Sequence, residues 1–242
     1  MNGVDPRIAH LDRPFGDWPR AVTATPASLA GLYVGTSGWS YPTWRPGFYP
    51  DGTKPGDFLR HYSERFSTVE LNTTGYRLPR EELFERWAEQ TPPAFRFAPK
   101  LNAHLRSDLG TFAERVGLLG ERLGPIRALV SSARDEGLLT LVLGSFDQSL
   151  ELAFDFRHES WNGIEAELPP NAVRVNQLEA DAPFRYLRFR DPPYDDAALA
   201  DWADRLRPLL EKGVRLYVYF KHEDEPTAPA YALRLGELVS IP

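Results

Sequence analysis

Val69-Glu70-Leu71-Asn72-Thr73-Thr74-Gly75-Tyr76-Arg77 is the stretch whose reading decides the fold. Its first four residues alternate apolar and polar, the period of a strand with one greasy face and one polar face. The remainder is rich in glycine, hydroxyl and aromatic residues and reads as a loop that the strand runs into. The polar face carries a carboxylate and an amide, which need partners or a task. The same form precedes it. Leu32–Thr36 reads as a strand that enters Gly35-Thr36-Ser37-Gly38-Trp39-Ser40-Tyr41, with Trp44 and Phe48-Tyr49-Pro50 just after.

Outward from these two loops, strands and helices alternate. Phe58, Leu59, Tyr62 and Phe66 follow helical spacing, with Asp57 as the expected N-cap. Leu83, Phe84, Trp87 and Ala88 mark a second helix, stopped by Thr91-Pro92-Pro93. A strand over Phe95–Leu101 precedes a longer helix with Phe112, Val116, Leu119 and Leu123 on one stripe, where Thr111 and Glu114 have capping-box spacing. Ile126–Ser131 and Leu138–Leu143 are both apolar enough to be strands, and periodicity alone does not separate them. Leu150–Arg157, Ala172–Asn176, Phe184–Arg190 and Val214–Lys221 read as further strands. A helix with Leu199, Trp202, Leu206 and Leu209, closed by Gly213, separates the last two, and a short helix over Leu233–Val239 ends the chain.

With one strand taken from the ambiguous region, eight strands alternate with helices. That pattern predicts parallel βαβ units and a single α/β domain, a (β/α)8 TIM-type barrel over residues 32–242. A doubly wound open sheet is the competing architecture. Met1–Gly31 is proline-rich without a clean period and reads as an N-terminal arm, although Phe15 and Trp18 speak against its hanging free in water.

Composition removes several classes of function. The chain has no cysteine, which excludes disulfides, thiolate nucleophiles and cysteine metal sites. Its formal net charge of −6 argues against a sequence-independent nucleic-acid binder, which carries a basic excess. No apolar run approaches the ~18 residues of a membrane span, so a soluble cytoplasmic protein without a membrane partner is expected.

In a barrel, the apolar side of each strand packs on the helices and the other side points inward. Val69, Leu71, Phe95, Phe97, Leu152, Phe154, Phe156, Leu187, Phe189, Leu216, Val218 and Phe220 are then outward. Glu70, Asn72, Arg96, Lys100, Asp155, Arg157, Tyr186, Arg188, Arg190, Tyr217, Tyr219 and Lys221 are inward. Inward side chains near strand C-terminal ends line the active site in barrel enzymes. Six of these are cations and two are anions. Two acids do not neutralise six bases, and buried charge is costly unless paired. The pattern therefore predicts a mouth that binds a phosphate or carboxylate, both suited to the planar fork of arginine. An internal salt-bridge network is the alternative.

The combination resembles the YecE-like family (domain of unknown function 72). It is carried by the Gly35–Tyr41 loop with Trp44 and Phe48-Tyr49-Pro50, by Val69–Asn72, by Phe95-Arg96-Phe97 with Lys100, by Phe154-Asp155-Phe156-Arg157-His158 with Ser160-Trp161, and by Tyr217–Phe220. The resemblance runs from about Leu32 to Leu235. It implies a (β/α)8 barrel, favours Ile126–Ser131 as the fourth strand, and assigns Leu138–Leu143 to the helical segment after it. It implies no activity. The chain departs from the family pattern at Gly75, where an aromatic is usual, and at Ala103-His104, Leu129–Ser132, Arg190-Asp191 and Lys221-His222. These changes cluster at strand ends, as in a divergent branch.

Glu70 and Asp155 are the candidate general bases, kept ionised by the cations around them, and His104 is a candidate acid or base on the third loop. Asn72, Tyr76, Arg77, Lys100, Arg157, His158, Arg188, Arg190, Tyr219 and Lys221 are candidate substrate contacts, although His158 fits loop bracing better than proton transfer. Trp39, Trp44, Tyr49 and Trp161 are candidates for a stacking wall, with packing of the loops as the competing role. No close histidine–carboxylate motif supports a metal, and no cofactor fingerprint is present. The expected function is an enzyme of the hydrolase or isomerase type acting on a small anionic substrate, such as a phosphorylated sugar or nucleotide-like molecule. The alternative is a non-catalytic module that binds an anionic metabolite or a nucleic-acid end.

Overall fold

The computed structural model describes residues 30–104, 108–221 and 224–240. Most of the expected N-terminal arm (residues 1–29) and position 222 lie outside the described residues. The chain runs β1 (Leu32–Thr36), α1 (Phe58–Ser63), β2 (Thr68–Leu71), α2 (Glu81–Glu89), β3 (Arg96–Asn102), α3 (Leu109–Gly117), β4 (Ile126–Val130) and α4 (Glu136–Gly144). It continues through β5 (Leu152–Phe156), β6 (Ala172–Arg174), β7 (Phe184–Phe189), α5 (Asp196–Glu211), β8 (Arg215–Phe220) and α6 (Thr227–Ser240).

The eight strands form two parallel sheets, β2-β3-β4-β5-β6 and β7-β8-β1. Among the described residues no backbone ladder joins β1 to β2 or β6 to β7. Side chains bridge both seams. The Tyr62 hydroxyl accepts from the Thr36 N–H at 2.8 Å and donates to the Thr68 carbonyl at 3.1 Å. Gly35 allows the close approach of β1 to β2, since a Cβ there would stand 2.1 Å from the Thr68 carbonyl oxygen. At the other seam, the Asn176 N–H donates to the Tyr186 carbonyl at 2.9 Å. Its Oδ1 accepts from the Arg188 N–H at 2.6 Å, and its Nδ2 donates to the Arg188 carbonyl at 3.1 Å.

The strands separate two apolar clusters. The larger lies between strands and helices and contains every residue expected to face outward. The smaller contains Tyr186, Tyr217 and Tyr219 beside Ala98, Ala153, Val173 and Phe184, small residues next to large ones on the opposite face of the strands.

Local chemistry sets the ends of the elements. Asp135 caps α4 by accepting from the Leu138 N–H at 2.9 Å, and Asp195 caps α5 through the Ala198 N–H at 2.8 Å. The helical reading of Leu138–Leu143 is thus the one that forms. Two expected caps do not. Asp57 precedes α1 without a side-chain cap bond. Thr111 lies inside α3, whose N-cap position is Asp108, so Thr111 and Glu114 form no capping box. The α6 helix begins earlier than expected because Ala228, Pro229 and Ala232 also face the core, where only the larger residues had marked a stripe. No α-helix follows β5 or β6 among the described residues. The loop before β7 is held instead by Arg185, which is 4% exposed and donates to the carbonyls of Leu178, Ala180, Ala182 and Phe184.

Candidate functional site

The inward polar residues of β2, β4, β5 and β7 meet in one cluster with Arg127 at its centre. Arg127 is 2% exposed, Glu70 is fully buried and Asp155 is 3% exposed. Arg127 Nε lies 2.9 Å from Glu70 Oε2, an ion-pair contact that lacks the alignment of a hydrogen bond. Its Nη1 donates to Asp155 Oδ2 at 2.6 Å and its Nη2 to Asn72 Oδ1 at 3.0 Å. Asn72 Nδ2 in turn donates to the Ser37 carbonyl at 3.2 Å, which ties the cluster to the first loop.

Each carboxylate also takes partners from β7 and the ends of β5 and β7. Glu70 Oε1 accepts from Arg188 at 2.8 Å, and its Oε2 accepts from the Tyr186 hydroxyl at 2.7 Å. Asp155 Oδ2 accepts from Arg190 at 2.7 Å and from Arg157 at 3.2 Å. Four guanidinium groups thus contact two carboxylates, an excess of two positive charges. Burial pushes the Asp155 carboxyl up, but Arg127, Arg190 and Arg157 outweigh it and hold the carboxyl below its ordinary value. Burial drives the Tyr186 phenol well above its ordinary range, with Glu70 adding to the effect, so Tyr186 stays a donor. Arg157 and Arg190 are the arginines that reach solvent, with side chains 42% and 22% exposed.

Arg127 is absent from the residues expected at the mouth. It is the one charge in the apolar run Ile126–Val130, and alternation puts it on the inward face once that run is a strand. Arg96 corrects the count from the other side. It sits at the start of β3, where its Nη1 donates to the carbonyls of Pro93 and Phe95, far along the strand from the mouth.

Several expected ligand contacts are occupied otherwise. Tyr219 is fully buried and its hydroxyl meets Thr68 Oγ1 at 2.7 Å, so it offers nothing to a ligand. The stacking wall is not formed. Trp44, Tyr49 and Trp161 are fully buried, and Trp161 stacks on Phe156 with ring centroids 4.3 Å apart while its Nε1 donates to the Ser132 carbonyl. Trp39 alone of the four keeps an accessible face, set edge-on to Trp87. His158 accepts from the Ser160 N–H and braces its loop, and the exposed His104 accepts from the Ser131 N–H through Nε2 at 3.0 Å. Lys221 is exposed just beyond β8.

Around the second loop the surface is open. A cleft of about 430 Å³ is lined by Trp39, Tyr41, Asn72, Arg86, Trp87 and Gln90, with buried Glu70 behind its inner wall. A groove of about 700 Å³ adjoins it, with Tyr76, Arg77, Arg80, Glu82 and Arg86 along its sides. Lys100 is 5% exposed and its Nζ lies 3.9 Å from the centre of the Tyr76 ring. Among the described residues no group of three or more histidines and acids could hold a metal ion, and no helix is long and apolar enough to cross a membrane.

Fold and site together define an α/β protein of parallel strands with a buried carboxylate–arginine cluster near the strand C-terminal ends. The chain belongs to the DUF72 family of proteins of unknown function, whose pattern matches residues 33–242. It is 37% identical over 103 residues to the UPF0759 protein YecE of Escherichia coli K12, a match covering 38% of this chain and 35% of YecE. It is 29% identical over 82 residues to the UPF0759 protein YunF of Bacillus subtilis 168, covering 32% of this chain and 28% of YunF. The matches thus span about a third of the length of these curated relatives. Two solved structures share the fold. A DUF72 family protein of Enterococcus faecalis V583 superposes with a TM-score of 0.73 at 16% identity, over 87% of this chain and 96% of the other. A DUF72 family protein of Thermotoga maritima MSB8 superposes with a TM-score of 0.63 at 22% identity, over 87% and 99%.

Proposed function

We propose that this protein binds a small anionic molecule at the strand C-terminal ends and acts on it as an enzyme of the hydrolase or isomerase type. The observation that carries this is the charge count. Four arginines share two carboxylates, and the two that reach solvent, Arg157 and Arg190, both lean on Asp155. A phosphate or carboxylate on the substrate would supply the missing negative charge and match the guanidinium forks. Phosphorylated sugars and nucleotide-like molecules fit in size and charge, and a cytoplasmic location goes with them. In this reading Glu70 and Asp155 position the arginines. The two bridged seams support a single (β/α)8 barrel, with Tyr62 and Asn176 standing in for ladder bonds.

One observation favours a second reading, a non-catalytic module for an anionic metabolite or nucleic-acid end. Both carboxylates expected to act as bases are committed to arginines. The first test is thermal unfolding with inorganic phosphate, sugar phosphates, nucleotides and carboxylic acids. A ligand at about 100 times its Kd adds roughly 2.7 kcal/mol. Stabilisation that Arg190→Ala or Arg157→Ala removes supports the anion site. No shift with any anion leaves an internal ion-pair network and overturns it.

A further inference from the structure

Tyr76 is the most exposed large hydrophobic side chain of the described residues, at 79%, yet it is held in place. Its ring covers the Nζ of Lys100, whose stem is sunk in the structure. The stem runs through the space that a side chain at position 75 would fill. A Cβ on Gly75 would stand 2.6, 2.7 and 2.9 Å from Lys100 Cδ, Cγ and Cε. Thr74 Oγ1 lies 2.8 Å from the carbonyls of both Leu71 and Lys100, which pins this loop to β3. Lys100 also pairs in register with Arg127, so the lysine and its tyrosine stand beside the arginine cluster.

We propose that Tyr76 is the proton-transfer group of this site, with Lys100 as the cation that holds its phenol where a substrate arrives. The proposal rests on the anion-site reading, because the arginines are taken as the grip on the substrate. It deepens that reading by naming the substrate class: a phosphate or carboxylate ester or acid with an ionisable C–H or O–H close to the anionic group. As phenolate, Tyr76 Oη takes that proton, and the electron pair of the broken bond stays on the substrate facing the arginines. The phenol then returns the proton to a neighbouring atom, which completes an isomerisation without any other reactant.

The electrostatics support the geometry. Lys100, whose Nζ lies over the ring, holds the Tyr76 phenol below the ordinary tyrosine value, with the charges of Arg127 and Arg188 adding to the effect. The other charges facing Tyr76 are Arg77 on its own loop, and Arg80, Glu82 and Arg86 across the groove. Burial works the other way on the tyrosines of the core, raising Tyr41, Tyr62, Tyr186, Tyr217 and Tyr219.

The test is a pH titration of tyrosine absorbance, joined to labelling by an arylsulfonyl fluoride. In the labelling step the phenolate oxygen bonds to sulfur and fluoride leaves. Tyr76→Phe removes only the hydroxyl of an exposed residue, so its readout stands even where Lys100→Met does not fold. The expected result is that Tyr76→Phe removes the tyrosine that ionises at lowest pH. Lys100→Met is expected to move the rate–pH profile of Tyr76 labelling to higher pH, and inorganic phosphate to slow labelling in the wild type. A lowest-pH ionisation unchanged in Tyr76→Phe, or a labelling profile unchanged in folded Lys100→Met, overturns the proposal. If phosphate stabilises the protein but does not protect Tyr76, the proposal alone falls. If phosphate does neither and no other anion stabilises the protein, the anion site falls with it.

Discussion

Gly75 and Lys100 share one volume: the Cβ that Gly75 lacks would lie 2.6 Å from Lys100 Cδ. The relationship gives a physical meaning to the glycine at position 75. A side chain at 75 and the lysine stem in its present path are mutually exclusive.

Gly75→Ala is therefore expected to displace Lys100 from beneath Tyr76. The overpacking cost is about 1–3 kcal/mol. Urea unfolding measures the loss, and the ionisation of Tyr76 should move up towards an ordinary tyrosine. Unchanged stability and an unchanged Tyr76 titration would show that the loop gives way instead.

Arg127 holds both buried carboxylates. Arg127→Met should destabilise the protein by about 3–5 kcal/mol, because it strands Glu70 and Asp155 with fewer partners. Adding Glu70→Gln and Asp155→Asn to that variant should not recover the loss, because Arg188, with a side chain only 9% exposed, then loses its own carboxylate. Denaturant unfolding of the single and triple variants checks both statements.

The arginines depress the Asp155 carboxyl in the folded protein. The unfolded chain, with an ordinary aspartate near pH 3.9, binds the proton first as pH falls. The stability Asp155 contributes is thus fully present above the ordinary value and is lost as pH drops from there through the folded value. Asp155→Asn should flatten the acid limb of the stability–pH curve below about pH 4. A limb of unchanged slope in that variant would assign acid sensitivity to other carboxylates.

Tyr62→Phe removes the hydroxyl that bridges β1 and β2 and leaves the Thr36 N–H and the Thr68 carbonyl without that partner. A loss of about 1–3 kcal/mol is expected, with faster hydrogen exchange at the Thr36 amide. Protection unchanged at that amide would mean the seam closes by other bonds.

Much of this protein was legible in the chain itself. Alternation in Val69–Asn72, Leu152–Phe156 and Phe184–Phe189 assigned the faces of the strands, and the outward residues all lie in the cluster beneath the helices. Period two is a local property, so sequence suffices for it. Glu70, Asp155, Arg157, Arg188 and Arg190 were placed together for the same reason. What alternation does not encode is depth along a strand, reach across the sheet, or which face of a ring is already covered. Arg96 and Arg188 share a face but sit at opposite ends. Arg127 begins low on β4 and its long side chain reaches the carboxylates of β2 and β5. Trp44, Tyr49, Trp161 and Tyr219 belong to the right loops and strands, yet packing over long sequence separations buries them. Those partners, the two bridged seams and the Gly75–Lys100–Tyr76 contact exist only once distant segments are brought together, and tertiary structure alone decided them.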